Sequence, residues 1–266
     1  MVSKYLKTCL IIVDALRYDQ VPHDLLPPGF AVRRCKALSD TTEPSLATIL
    51  SGLPPEEHGI LQTGQRDACE KLKKLDFIPK HFDKSFIASP AMILFPHFTY
   101  STCAKYSEEV FVEARRYTES VDFMLLHLMD CHDMRPTPGR ALKFYHGFEP
   151  VPEHVLKWKP RSGLSRPFED DLRYTKDAGW LKAKYRASVA GVFESMNIFL
   201  RSVIPGWKVV ITADHGESFV FWHHDGVPDD SVFQVPLITN LQLKDREYSH
   251  LDIFNLCFGE RIERVK

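Results

Sequence analysis

Apolar runs in this 266-residue chain end in acids. Thr8–Val13 (TCLIIV) is followed by Asp14. The run at 121–129 (VDFMLLHLM) is followed by Asp130, with His132 two residues on. Lys208–Thr212 (KVVIT) is followed by Ala213 and then Asp214-His215. Carboxylate oxygens and imidazole nitrogens suit one or two divalent ions, zinc foremost, with manganese, magnesium or calcium as the other choices. One strand-end acid is an ordinary cap or loop residue. Several on one sheet edge, with attached His, make a metal-ligand constellation.

A second group could supply a nucleophile. Asp40-Thr41-Thr42-Glu43-Pro44-Ser45 leads into a short apolar helix at 45–51, and Pro44 suits a first helical turn. Thr42 then stands at or just before the helix N-terminus. Free N–H groups and the positive dipole end favour a bound phosphate or sulfate there. A hydroxyl at that place, touching a metal, can ionise and attack phosphorus or sulfur. Taken alone, Thr41 or Thr42 is better read as a plain helix cap.

Apolar runs of five to nine residues, rich in branched side chains, read as strands buried on both faces, hence a parallel sheet. Weaker strands are expected at 85–89 and 235–239, where Pro236 argues for a sheet edge. Helices are expected at 45–51, 108–120 and 181–203. In the last, Tyr185, Val189, Val192, Met196 and Leu200 recur at helical spacing and Pro205-Gly206 follows. Alternating strands and helices predict a three-layer α/β sandwich around a mostly parallel sheet. In such sheets the ligand site lies beyond the carboxyl ends of the strands, where Asp14, Asp130 and Asp214 converge. The stretch 135–179, rich in Pro, Gly, charge and aromatics, reads as an insertion, either a lid or a plain surface excursion.

Composition fits a globular chain, taken as a single domain over 1–266: 44% hydrophobic and 26% charged residues. With 34 Lys+Arg against 35 Asp+Glu, the electrostatic case for a nucleic-acid duplex partner is absent. The 6 Cys form no CxxC pair, which suggests free thiols in a reducing compartment. The most apolar N-terminal run is too short to span a bilayer. A cytoplasmic protein with no transmembrane segment is the resulting expectation.

The sequence resembles the alkaline phosphatase superfamily, in its sulfatase-like and phosphodiesterase-like branch. The motifs occur in order along nearly the whole chain. Ile11-Ile12-Val13-Asp14 is similar to the opening metal-ligand strand. Thr42-Glu43-Pro44-Ser45 through Pro55-Glu56-Glu57-His58-Gly59 resembles the nucleophile helix and the P-x-x-H-G turn. His127-Leu128-Met129-Asp130-Cys131-His132 resembles H-x-x-D-P-H, and Thr212-Ala213-Asp214-His215-Gly216-Glu217 resembles T-S-D-H-G-E. His223-His224-Asp225-Gly226 and Ser249-His250-Leu251-Asp252 match the C-terminal run.

The resemblance implies an alkaline phosphatase-like fold, with Asp14, Asp214, His215 and the Thr42 hydroxyl on one metal and Thr42 as nucleophile. It implies that Asp130, His132 and one of His223 or His224 serve a second metal or contact leaving group and oxyanion. Arg17 and His223 are carried as substrate contacts. His58, His250 and Asp252 read as local structure. Sulfatases need Cys or Ser at the nucleophile position for formylglycine; here it is Thr42, and their Arg position is Leu46. The implied activity is metal-dependent hydrolysis of a small-molecule phosphomonoester or phosphodiester through a phospho-threonine intermediate. A sulfuric ester hydrolase and a catalytically silent binding relative are the alternatives.

Overall fold

The computed structural model describes residues 6–134, 178–202, 204–220 and 224–258. Three strands carry the centre: β1 (Thr8–Val13), β5 (Phe123–Leu128) and β6 (Lys208–Thr212). All are buried along their full length, which requires cover on both faces. They belong to an 8-stranded sheet ordered β4-β3-β5-β1-β6-β7-β2-β8. The remaining strands are β2 (Ala31–Lys36), β3 (Ser85–Ala88), β4 (Tyr100–Thr102), β7 (Gln234–Thr239) and β8 (Tyr248–Ser249). β7 runs antiparallel to β6 and β2, and the other pairings are parallel.

Among the described residues the α-helices are α1 (Thr42–Ser51), α2 (Pro55–His58), α3 (Ala68–Lys74), α4 (Ser107–Arg115), α5 (Ala178–Ser202) and α6 (His250–Phe258). α4 packs on α5, β3 and β5, and α6 packs on α1 and β6. The apolar stripe of α5 is the one its spacing predicts: Tyr185, Val189, Val192, Met196 and Leu200 are all buried. Each such side chain contributes about 1.5–3 kcal/mol of burial free energy. α1 stops at Gly52, whose φ of +69° suits glycine. A Cβ at Gly52 would also come within 3.0 Å of Phe254 on α6, so glycine lets these two helices approach.

Several boundaries differ from expectation. α1 begins at Thr42, a full turn earlier than 45, because Thr41 is already extended and Pro44 fits the first turn. α4 ends at Arg115 rather than 120, and the residues that follow close turns back onto Ala114 and Tyr117. β7 is an interior strand despite Pro236. Its pairing with β6 involves only Ile238 and Thr239, so the missing Pro N–H falls beyond that ladder. β2 (AVRRCK) has no apolar run and was not foreseen; only Cys35 in it is fully buried. The insertion at 135–179 lies outside the described residues, apart from 178 and 179, which belong to α5.

Candidate metal and nucleophile site

β1 and β6 are neighbours in register, so their carboxyl ends deliver Asp14 and Asp214 to the same place. His215 follows Asp214 directly. All three side chains are fully buried. One ligand atom from each lies within 4.8 Å of the others.

The bonding at each carboxylate is lopsided. Asp14 Oδ2 accepts from His127 Nε2 at 3.1 Å and from Thr42 Oγ1 at 3.4 Å. Asp14 Oδ1 has no partner. Asp214 Oδ1 accepts from the backbone N–H of His215 at 2.9 Å and of Ala15 at 3.2 Å. Asp214 Oδ2 has no hydrogen-bond partner. His215 Nδ1 donates to the Gly216 carbonyl at 2.9 Å, which leaves the Nε2 lone pair facing inward. That Nε2 is unpartnered, 3.4 Å from Asp214 Oδ2 and 3.7 Å from Asp14 Oδ1.

Three buried, unbonded acceptors thus face one another. An orphaned buried polar atom costs about 1–3 kcal/mol, and charged ones more. A divalent cation would satisfy all three, and two carboxylate oxygens with one imidazole nitrogen are a fitting donor set for zinc. The electrostatics of the cluster agree. Burial opposes ionisation of Asp14, but the His132 charge and the His127 bond outweigh it and hold its carboxyl well below the usual range. Burial, then the Asp14 charge, pushes Asp214 up. Burial disfavours a charged His215, yet the two carboxylates raise it. The cluster calls for positive charge.

Local devices hold this geometry. Ala15 has φ +61°, unusual for a residue with a Cβ, and this aims its N–H at Asp214. Tyr185 of α5 clamps the same turn, donating to the Ala15 carbonyl at 2.7 Å and accepting from Arg17 N at 3.0 Å. Gly216 N donates to the Val232 carbonyl at 2.7 Å. A Cβ on Gly216 would stand 2.4 Å from the Ser231 carbonyl oxygen, so only glycine lets this loop approach.

The other predicted site residues divide. Thr42 is the first residue of α1 and joins the cluster through Asp14. His224 also comes to the site. Its ring stacks on His215 with centroids 3.8 Å apart, and its Nδ1 donates to the Asp40 carbonyl at 2.6 Å. Burial, then the His215 charge, lowers it to about 4. His132 lies edge-on to His224 at 5.5 Å. Burial opposes its charge, but Asp14 and then Asp133 raise it to about 9.

Asp130 is not brought into the cluster. Its two oxygens accept from Ser107 N at 2.8 Å and Ser107 Oγ at 3.0 Å, at the start of α4. Arg17 is tied to Asp19 by two bonds, to the Glu217 carbonyl at 2.9 Å and to Ser231 Oγ at 2.8 Å, so its guanidinium braces loops. His223 lies outside the described residues. His58 bonds Thr48 and Ile60 N, and His250 bonds the Ala213 carbonyl, both within local structure.

Two residues were missed as site members. His127 lies inside β5, opposite Ile12, and braces Asp14 while Ser89 Oγ meets its Nδ1 at 3.0 Å. A lone His in an otherwise apolar strand was the available signal. Glu217 is 2% exposed, and burial raises its carboxyl to about 7.

Solved structures share this architecture. A 2-O GAG sulfatase aligns with TM-score 0.61 and 14% identity, over 98% of this chain and 73% of that one. The zinc complex of the C-terminal periplasmic domain of EcEptC from Escherichia coli aligns with TM-score 0.57 and 12% identity, over 96% and 83%. The C-terminal periplasmic domain of the phosphoethanolamine transferase EptC from Campylobacter jejuni aligns with TM-score 0.55 and 15% identity, over 96% and 90%. The chain has the alkaline phosphatase-like α/β fold that these structures share. No family model matches the sequence, and no curated protein matches it.

The cytoplasmic expectation is corrected by these structures, since the two last named are periplasmic domains. Near-neutral charge and scattered Cys describe a folded chain in either compartment, so they do not carry that expectation. All six Cys are free. Among the described residues, no helix is long and apolar enough to cross a membrane.

Proposed function

We propose that this chain, acting as a single domain, is a metal-dependent hydrolase of phosphate mono- or diesters with Thr42 as nucleophile. The observation that carries the reading is the convergence of Asp14 Oδ1, Asp214 Oδ2 and His215 Nε2, all unpartnered, beside a hydroxyl at a helix N-terminus. Asp14, Asp214, His215 and Thr42 would hold the ion, for which zinc is proposed. Such an ion lowers the pKa of the hydroxyl and withdraws charge from the ester.

The chain's own groups do the rest. Thr42 Oγ attacks phosphorus in line; the Oγ–P bond forms as the bond to the leaving alcohol breaks. The Thr42 proton faces Asp14 Oδ2, the acceptor to which it is bonded. The N-terminus of α1 offers N–H groups and positive dipole to the non-bridging oxygens. His132, edge-on to His224 at 5.5 Å, is assigned to the leaving oxygen. Water then attacks phosphorus, the Oγ–P bond breaks, and inorganic phosphate or a phosphomonoester departs as Thr42 regains its proton.

A single ion is proposed rather than two, because Ser107 engages both oxygens of Asp130. The sulfatase neighbour supports a sulfuric ester substrate as a second reading. Thr42, which formylglycine chemistry cannot use, favours the phosphate reading. The test is turnover of p-nitrophenyl phosphate, bis-p-nitrophenyl phosphate and p-nitrophenyl sulfate by wild type and Thr42→Ala. Phosphate-ester turnover abolished in the variant, with a phosphate adduct on Thr42 seen by mass spectrometry, is the expected result. Full activity in Thr42→Ala would overturn the reading.

A further inference from the structure

A cleft of about 590 Å³ opens on the far side of the sheet from β5, between β2 and the loop before β8. Arg33, Arg34, Lys36 and Arg246 line it, with Asp245 and Glu247 as the acidic groups facing them. Arg246 is paired with Asp252 at 2.7 Å. The other three cations have no ion-pair partner among the described residues. Arg33 Nε is buried without a hydrogen-bond partner, its Nη1 bonded only to the adjacent Val32 carbonyl. A guanidinium N–H shut away from water and unbonded is a donor in want of an acceptor. β8 pairs with β2 only at Cys35 and Lys36, so the outer edge of β2 is open at Arg33 and Arg34.

The cleft is tied to the metal and nucleophile site twice. Lys36 precedes Thr42 by six residues, a reach of at most about 20 Å. The Arg34 guanidinium lies 5.2 Å over the ring of Tyr18, four residues after Asp14.

We propose that this cleft is an anion subsite that binds a sulfate or phosphate group of a multiply charged ligand. That the ligand's ester group simultaneously sits at Thr42 rests on the function proposed above; binding in the cleft does not. Arginine forks suit such groups, and Arg34 and Lys36, exposed on one face of β2, supply the charge with Arg33 in the cleft wall.

The test is calorimetric titration with sucrose octasulfate, and separately with sodium sulfate, using the full chain. The variants are Arg34→Ala/Lys36→Ala, whose side chains are exposed, Arg33→Gln and, as a control, Lys74→Ala on α3, an exposed cation outside the cleft, each checked for fold by circular dichroism. Octasulfate is expected to bind wild type and Lys74→Ala equally, tenfold or more weaker in both cleft variants, and less tightly as salt rises. Free sulfate is expected to bind far more weakly than octasulfate. Unchanged binding in the cleft variants, an equal loss in Lys74→Ala, no binding to wild type, or sulfate binding as tightly as octasulfate would each overturn the proposal. Since the readout is binding, absence of ester turnover bears on the function above and not on this subsite.

Discussion

Two strand ends of this molecule carry the same sequence pattern and have opposite fates. At the end of β1, Asp14 keeps one oxygen unbonded and turned toward His215. At the end of β5, Asp130 is also buried, yet both its oxygens are bonded to Ser107. The difference lies in what the rest of the chain offers. Near Asp130, the N-terminus of α4 presents an N–H and a hydroxyl together, and the carboxylate caps the helix. Near Asp14 and Asp214, the donors reach only one oxygen of each. A strand-end acid stays available to a cation where its neighbours leave one oxygen unbonded.

The largest expected effect breaks the β1 side. Asp14→Asn should weaken zinc affinity by more than about 100-fold, beyond the range typical for outer partners of a metal site. The metal-free variant should melt no lower than metal-free wild type, because one of two facing buried carboxylates is gone. Calorimetric zinc titration and thermal melts in chelator check both halves.

The next concerns the floor beneath Asp214. His250 donates to the Ala213 carbonyl from a fully buried position, and burial lowers it from 6.5 to about 4. Its folded pKa lies below its unfolded one, so its stabilising share is complete above pH 6.5 and is lost as pH falls toward 4. The loss at pH 4 is on the order of 3 kcal/mol. Urea midpoints of His250→Gln should therefore fall less between pH 6.5 and 4 than those of wild type. Parallel curves would remove His250 from the account.

Smaller is the effect of His127→Gln, which loosens Asp14 without touching the three unbonded atoms. Zinc affinity should drop by about 10–100-fold. Smallest is Asp130→Asn, which sets an amide N–H against a Ser107 donor. Stability should drop by about 1–2 kcal/mol with zinc affinity unchanged. A zinc affinity that fell with Asp130→Asn would erase the contrast between the two strand ends.

The central strands were legible because burial on both faces writes uninterrupted apolar runs, as in β1 and β6, whose bounds match the expected ones. β2 was not legible. It lies near the sheet edge, and its Arg33, Arg34 and Lys36 face a cleft rather than a core. Pro236 misled because the rule it follows concerns ladders, and the β6 ladder ends before it. At the site, residue type and strand end singled out Asp14, Asp130, His132, Asp214 and His215 alike, and the structure brings ligand atoms of Asp14, Asp214 and His215 within 4.8 Å of one another. The fate of Asp130 depends on Ser107, a partner with no local signature in the sequence. The bracing role of His127 depends on the register of β5 against β1, which places it opposite Ile12.

The central claim is that Asp14, Asp214 and His215 hold one divalent ion and that Asp130 does not contribute. Metal content by inductively coupled plasma mass spectrometry, on wild type, Asp214→Asn and Asp130→Asn purified side by side, tests it most directly. The account predicts about one zinc per chain in wild type and Asp130→Asn, and none in Asp214→Asn. Metal retained in Asp214→Asn, or lost in Asp130→Asn while its fold is intact, would contradict it.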